Sequence, residues 1–280
     1  MLIDLTGKNA LVTGGSRGVG RATALLLARA GASVGIGYHS RSEEAQETLD
    51  ALHEIGVPVW AEMGDLSDPG DVEILFKRVD TEFDGLDILV GNHGIWPNRE
   101  ASIAEMSNEQ WQKTLGVNLH SVFYTCRAAA HRLRDHGRLV LVGSTAGQRG
   151  EAFHADYAST KGAMMSFVKS FCIELASRDI TVNCVAPGWI DTEMSSSTFE
   201  GAGRELISRS IPLGRIATAE DVAGPILFLC SELARHITGE VLNVNGGAVL
   251  VGCARSNFRP LQQSTGLLIR SRRRVMIHGR

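Results

Sequence analysis

Three observations predict an α/β protein built on one parallel, doubly wound sheet. Short β-branched or apolar runs alternate with longer amphipathic stretches along most of the chain, the pattern of repeated β-α units. A glycine-rich turn from Thr13 to Gly20 joins the first such run to the first amphipathic stretch. No linker-like composition interrupts the rhythm, so residues 1–252 read as one domain, although 280 residues give a prior of about two.

The strands are expected at 9–13, 32–38, 57–63, 87–91, 138–143, 180–186 and 241–244. Between them the 3.6-residue periodicity predicts helices at 19–30, 42–55, 71–83, 109–134, 155–178 and 220–231. Right-handed crossovers then place helices on both faces of a seven-stranded parallel sheet. One stretch departs from the rhythm: from Gly188 to about Glu220 only a short helix near 204–209 is predicted, and a loop of that length is expected to form a mobile flap over a pocket.

Composition narrows the function classes. Apolar residues make up 44% and charged residues 21%, and the 31 glycines have no period, which excludes disorder and collagen. Five cysteines without CxxC or zinc spacing read as reduced core residues of a cytoplasmic protein, and no metal site is expected. Asp4 follows Met1 too closely for a secretory leader, and the apolar run 225–230 is far shorter than the ~20 residues a membrane span needs. Seven arginines and no acid lie between Arg255 and Arg280, leaving 21 basic and 31 acidic residues before them. Such a tail reads either as a nucleic-acid or membrane arm or as a disordered extension. Lacking helical periodicity and interleaved aromatics, residues 253–280 are expected to be a disordered tail without specific nucleic-acid or membrane binding.

The turn Thr13-Gly14-Gly15-Ser16-Arg17-Gly18-Val19-Gly20 has the ingredients of a pyrophosphate site, since phosphate oxygens must approach backbone N–H groups at a helix start. This strand-turn-helix setting predicts a Rossmann-type nucleotide fold. The second strand ends in Tyr38-His39-Ser40-Arg41 without the acid that would accept from a free ribose 2′-hydroxyl. Arg17, Ser40 and Arg41 offer donors and charge for a 2′-phosphate, so NADP(H) is favoured over NAD(H), the bland reading being solvated surface arginines.

Tyr157 and Lys161 stand one helical turn apart on one face, where chance predicts only about 0.05 such pairs. Hydride addition to a carbonyl needs a proton donor at the oxygen, and the reverse needs a base. A tyrosine serving as base near neutrality must have its pKa lowered by about 3, roughly 4 kcal/mol, much of which a nearby ammonium can supply. Ser144, at the carboxyl end of the fifth strand, is either a turn residue or a donor to the substrate oxygen; Asn118 bonds either a local carbonyl or a water.

Together TGGSRGVG at 13–20, Gly64-Asp65-Leu66, LVGNHG at 89–94, Val117-Asn118-Leu119, Gly143-Ser144, YASTK at 157–161, Pro187-Gly188 with Thr192, and NVNGG at 243–247 resemble the short-chain dehydrogenase/reductase family from about Lys8 to Gly247. The resemblance implies a tetrad of Asn118, Ser144, Tyr157 and Lys161. Tyr157 is then the acid/base, Ser144 orients the carbonyl, and Asn118 positions a water relaying protons from Lys161. It also implies cofactor contacts from Gly14, Ser16, Arg17, Gly18, Val19, Gly20, Asp65, Leu66, Asn92, Gly94, Tyr157, Lys161, Pro187, Gly188, Ile190 and Thr192, and a homotetramer built on long helices and the last strand. His93 stands where the family carries a small residue and is assigned to packing. His154 lies either in the substrate pocket or on the surface.

The chain most resembles the 3-oxoacyl-(acyl-carrier-protein) reductases, for which Arg134 and Arg178 are candidate carrier contacts. The expected activity is NADPH-dependent reduction of a ketone, such as a 3-oxoacyl thioester, to a secondary alcohol. A sugar, polyol or steroid dehydrogenase of the same family is the alternative, and a non-catalytic nicotinamide-binding sensor is the reading from another class.

Overall fold

The alternating apolar runs resolve into seven parallel strands: β1 Asn9–Thr13, β2 Ser33–Tyr38, β3 Val59–Met63, β4 Leu86–Gly91, β5 Leu133–Val142, β6 Thr181–Pro187 and β7 Val241–Val244. They form one sheet in the order β3-β2-β1-β4-β5-β6-β7. The structure, a computed structural model, describes residues 3–250; the basic tail and Cys253 lie outside them. The helices are α1 Gly18–Arg29, α2 Ser42–His53, α3 Pro69–Glu82, α4 Asn108–Leu115, α5 Ser121–Ala130, α6 Ala146–Arg149, α7 Ala155–Leu175, α8 Gly203–Ser210 and α9 Ala219–Leu229.

Several helix starts are written in the sequence. Asp68 accepts from Gly70 N ahead of Pro69, Ser107 accepts from Gln110 N, and Thr218 with Asp221 closes a capping box. Successive strand residues point to opposite faces, and both faces are apolar. Leu11, Leu89, Leu139 and Leu141 pack towards α3, α5 and α7. Ala10, Val12, Ile88, Val90, Val140 and Val142 pack towards α1 and α9.

Two predicted elements differ. The single helix expected at 109–134 is α4, a π-helical turn Gly116–His120 and then α5, while Leu133 already pairs with Leu86 at the start of β5. Strand β5 then bulges around His136, whose φ is +65°, before resuming at Arg138 opposite Ile88. The expected flap contains a 3₁₀ turn, Glu193–Phe199, followed by α8. Phe199, Ile211 and Ile216 are buried together there, with Trp189 and Ile207 packed against them.

Strand order reverses between β1 and β4, which run side by side, with Thr13 opposite Gly91. Ligands of open α/β sheets bind at the carboxyl ends of the strands flanking such a switch point. The chain leaves β1 there into the glycine turn, β4 into Asn92-His93-Gly94 and β5 into Gly143-Ser144.

Candidate active site

Beyond Thr13 the chain turns back on itself so tightly that side chains are excluded. Gly14 has φ +63°, and a Cβ on Gly20 would lie 2.0 Å from the Gly14 carbonyl oxygen. The Asn92 amide donates to the Gly14 carbonyl at 3.0 Å and the Thr13 carbonyl at 3.3 Å, bracing the turn from behind. Ser16 is buried and its carbonyl accepts from the Thr48 hydroxyl of α2 at 2.9 Å. No side chain caps the start of α1, and its first turn, including Val19, holds no acid, so its N–H groups suit an anion. This cradle fits a cofactor pyrophosphate.

At the rim, Arg17 is paired with Glu193 and Arg41 with Glu44, all four partly exposed; Ser40 is exposed. Asp65, just past β3, is partly desolvated, which raises its pKa. Hydrogen bonds from the Ser67 hydroxyl and amide, aided by His39 and His93, nevertheless hold it below the usual carboxylate value. Leu66 beside it is buried. Pro187 ends β6, Gly188 N donates to the Val244 carbonyl at 3.1 Å, and Ile190 bridges to Ala217. The Thr192 methyl faces Gly18, 3.4 Å from where a Cβ would stand.

The residues expected to handle protons come together where β5 ends and α7 begins. Ser144 accepts from Ala146 N at 3.1 Å, and its hydroxyl is close enough to the Tyr157 phenol to pull the phenol's pKa down. Lys161, one turn along α7, is 4% exposed; its Nζ donates to the Val142 carbonyl at 2.8 Å and lies 5.6 Å from the Tyr157 ring centroid. Asn118 sits in the π-helical turn with its amide on the Ile95 backbone, accepting from N at 2.7 Å and donating to O at 2.9 Å. The same Asn118 amide reaches Thr160 of α7 at 3.5 Å. Gly94 fits between these elements because a Cβ there would meet Asn118 Oδ1 at 3.1 Å and Lys161 Nζ at 3.6 Å.

Residues 14–249 match the family model described as enoyl-(acyl carrier protein) reductase, adh_short_C2. The 3-oxoacyl-(acyl-carrier-protein) reductase of Escherichia coli is 39% identical over 251 residues, 89% of this chain and 100% of that protein. The enzyme of the same name from Staphylococcus aureus is 35% identical, over 86% and 97% of the two chains. Among solved structures, a Burkholderia cenocepacia short-chain dehydrogenase in complex with NADP superposes with TM-score 0.82 at 37% identity, covering 87% of this chain and 98% of that one.

The chain belongs to the short-chain dehydrogenase/reductase family.

As a member of it, the protein is an oxidoreductase working with a nicotinamide cofactor on CH–OH groups and carbonyls. A second solved relative, the Brucella melitensis glucose/ribitol dehydrogenase, has TM-score 0.81 at 33% identity over 89% of this chain and 99% of that one.

In this short-chain dehydrogenase burial dominates the electrostatics of both Tyr157 and Lys161. Burial, the larger effect, pushes Tyr157 up to about 12 despite the Ser144 hydroxyl. Burial also lowers Lys161 to about 8, so near neutrality the ammonium stays charged at an energetic cost. Asn118 uses one N–H and one lone pair of its side-chain amide to hold the Ile95 backbone.

Asp156 and the aromatic residues Trp96, Trp189 and Phe199 were not apparent from the motifs, and His93, assigned to packing, also makes polar contacts. Asp156, fully buried before Tyr157, accepts from Thr114 of α4 at 2.8 Å and Gln110 at 3.2 Å, tying the start of α7 to α4. His93 bridges Thr13 Oγ1 at 2.7 Å and Ser121 Oγ at 2.8 Å, and Ser121 in turn donates to the Val117 carbonyl beside Asn118. The neutral imidazole donates to one of these hydroxyls and accepts from the other. Burial and the nearby Lys161 charge, opposed by Asp65, hold this imidazole neutral with a pKa of about 3. Trp96, Trp189 and Phe199 reach the site from loops that no local pattern links.

Arg134 and Arg178 do not face the site. Arg134 pairs with Asp84 and Asp87 around the amino end of β4, and Arg178 follows the end of α7 and pairs with Asp135. Both lie at the amino ends of the parallel strands, opposite the carboxyl ends where the site forms, which removes them as carrier contacts. Among the described residues no cluster of three or more metal-ligating side chains occurs, and no helix is long and apolar enough to cross a membrane.

Proposed function

We propose that this enzyme reduces a ketone to a secondary alcohol with NADPH, its substrate being a 3-oxoacyl thioester presented on an acyl carrier protein. The supporting observation is the convergence of the Ser144 hydroxyl and the Tyr157 phenol beside the switch point. Two hydroxyls at one locus suit a single carbonyl oxygen, one to orient it and one to protonate it. The Escherichia coli and Staphylococcus aureus relatives carry the 3-oxoacyl reductase name, whereas the family model is named for an enoyl reductase.

The glycine turn and the start of α1 hold the pyrophosphate, and Arg17, Ser40 and Arg41 hold the 2′-phosphate. Asp65 and Leu66 flank the adenine, while Asn92, Gly94, Pro187, Gly188, Ile190 and Thr192 shape the nicotinamide end. Bound there, the cofactor supplies the hydride. Tyr157, protonated below about pH 12 in the cofactor-free protein, is already in the form that donates to the developing alkoxide. Lys161 keeps unused N–H donors besides the one on Val142, suited to cofactor hydroxyls and to returning a proton to the phenol. Asn118 serves by holding Ile95 and Thr160 in place.

The reading extends to a cytoplasmic homotetramer with a catalytic domain over 1–252 and a separate basic tail over 253–280. Cys126, Cys172, Cys184 and Cys230 are free and buried, and Phe123 of α5, Ile173 of α7 and Leu242 of β7 are exposed apolar side chains on the elements expected to assemble.

The test follows, by absorbance, oxidation of NADPH with a 3-oxoacyl thioester, an enoyl thioester and a ketosteroid, and reduction of the oxidised cofactor with a polyol. Turnover should be greatest with the 3-oxoacyl thioester. Tyr157→Phe should lower kcat by roughly 10²- to 10⁴-fold while leaving NADPH affinity nearly unchanged. Activity surviving in Y157F would overturn the mechanism.

A further inference from the structure

Three separate parts of the chain place aromatic rings around the Tyr157 phenol. Trp96 follows β4, His154 and Tyr157 open α7, and Trp189 and Phe199 come from the segment after β6. The Trp96 indole lies against the His154 imidazole with centroids 4.0 Å apart and planes 24° apart. It meets the Tyr157 ring edge-on at 4.7 Å and Trp189 at 6.3 Å, and Trp189 meets Phe199 at 6.1 Å. His154 is fixed from behind by Nε2 donating to the Pro97 carbonyl at 3.2 Å.

Burial within this group is uneven. His154, Phe199 and Tyr157 are buried, whereas Trp96 and Trp189 stay partly exposed. The partly exposed members are the ones a bound molecule could touch, and their indoles are the widest flat faces in the group. Here the two indoles are the members left open, backed by smaller rings, next to the reacting phenol.

We propose that Trp96 and Trp189 are specificity-determining residues that select carbonyl substrates whose ketone bears a flat aryl group over those bearing a saturated chain. The proposal rests on the reductase reading above and names the acyl class that reading leaves open. Ring-on-ring contact adds attraction beyond area burial, roughly 2- to 12-fold for each aromatic pair, and a saturated chain of similar area gains none of it.

The test measures kcat/KM for the 3-oxo-3-phenylpropanoyl and 3-oxohexanoyl thioesters of N-acetylcysteamine, with wild type, Trp96→Leu and Trp189→Leu. Leucine keeps an apolar side chain and removes the ring. Wild type should prefer the phenyl substrate, and each variant should lose roughly 2- to 12-fold on it and less on the hexanoyl substrate. Equal or better use of the hexanoyl substrate by wild type, or equal losses on both substrates, overturns the proposal. NADPH titration establishes that each variant retains a folded cofactor site.

A second readout separates this proposal from the reductase reading. Acetophenone should quench tryptophan fluorescence of the wild type saturated with the oxidised cofactor NADP+, which cannot reduce it, and more weakly that of W96L and W189L. If neither thioester turns over while that difference persists, the aromatic wall stands and the thioester reading falls. No quenching, or the same quenching in all three proteins, overturns the wall.

Discussion

Replacing Lys161 with methionine should stabilise the cofactor-free protein at neutral pH and abolish its activity. The Lys161 amine is 4% exposed, and burial lowers its pKa from 10.5 to about 8. A displacement of that size corresponds to roughly 3 kcal/mol by which the folded state disfavours the ammonium. The unfolded chain keeps this proton up to about pH 10.5, while the folded chain releases it near 8. Between those values the unfolded state binds more protons, so wild-type stability gains with rising pH. The full burden of roughly 3 kcal/mol applies at pH 7 and shrinks below about 1 kcal/mol at pH 10.

Methionine keeps the apolar stem and removes the charge, losing only the 2.8 Å bond to the Val142 carbonyl, about 1 kcal/mol. K161M should therefore exceed wild type by about 2 kcal/mol at pH 7, some 4–8 °C in melting temperature for a protein of this size, and match it near pH 10. Thermal and urea unfolding of both proteins at the two pH values reads the difference directly, since other titrating groups cancel. A variant less stable than wild type at pH 7, or an offset unchanged between the two, would refute the view that Lys161 is held charged against its surroundings.

Gly20→Ala should destroy dinucleotide binding in a fluorescence titration, because its Cβ would sit 2.0 Å from a backbone oxygen that has no rotamer to move; near-normal affinity would contradict the turn geometry. Glu193→Gln should raise NADPH affinity by up to about 5-fold and leave NADH affinity unchanged, since it frees Arg17 from an exposed ion pair; equal effects on both cofactors would mean that Arg17 does not read the 2′-phosphate. His93→Gln should lessen acid sensitivity between about pH 6.5 and 3, where the unfolded histidine takes up a proton that the folded one refuses, so wild-type stability falls as pH falls; unfolding midpoints with identical pH dependence would place a charged imidazole in the fold.

Much of this architecture is legible in the order of residues because each strand alternates or runs apolar over its whole length, and strand limits fall within a few residues except at β5. There the eye follows Ala128-Ala129-Ala130 onward as helix, yet His136 in the left-handed region and the Leu86–Leu133 pairing make a bulged strand instead. The π-helical turn at Gly116–His120 leaves no compositional trace, since one extra residue per turn shifts the apolar stripe less than ordinary scatter does. Tyr157, Lys161, Ser144 and the glycine turn were visible because their spacing is itself the chemistry. Arg134 and Arg178 misled for a reason of topology: charge is plain in a sequence, but which end of a parallel sheet it decorates is known only once the helices are laid antiparallel to the strands. The aromatic wall requires three loops to meet, and no pattern local to any one of them records that meeting.

The burial that makes this site costly also explains its resting state. The same desolvation raises the phenol, lowers the ammonium and keeps His93 neutral, each group being driven towards its uncharged form. Only Lys161 retains its charge near neutrality, and it does so at the junction of Val142, Tyr157 and Gly94. A protonated phenol beside a reluctant ammonium is a proton donor backed by a second donor whose affinity for its proton is already weakened. Reduction of a carbonyl consumes one proton at the substrate oxygen; under the proposed mechanism Tyr157 gives it, and the order of the two pKa values makes return of a proton from Lys161 to the phenolate downhill. The reverse reaction must deprotonate that phenol against the same burial, a barrier that high pH or the positive charge of an oxidised cofactor would lower.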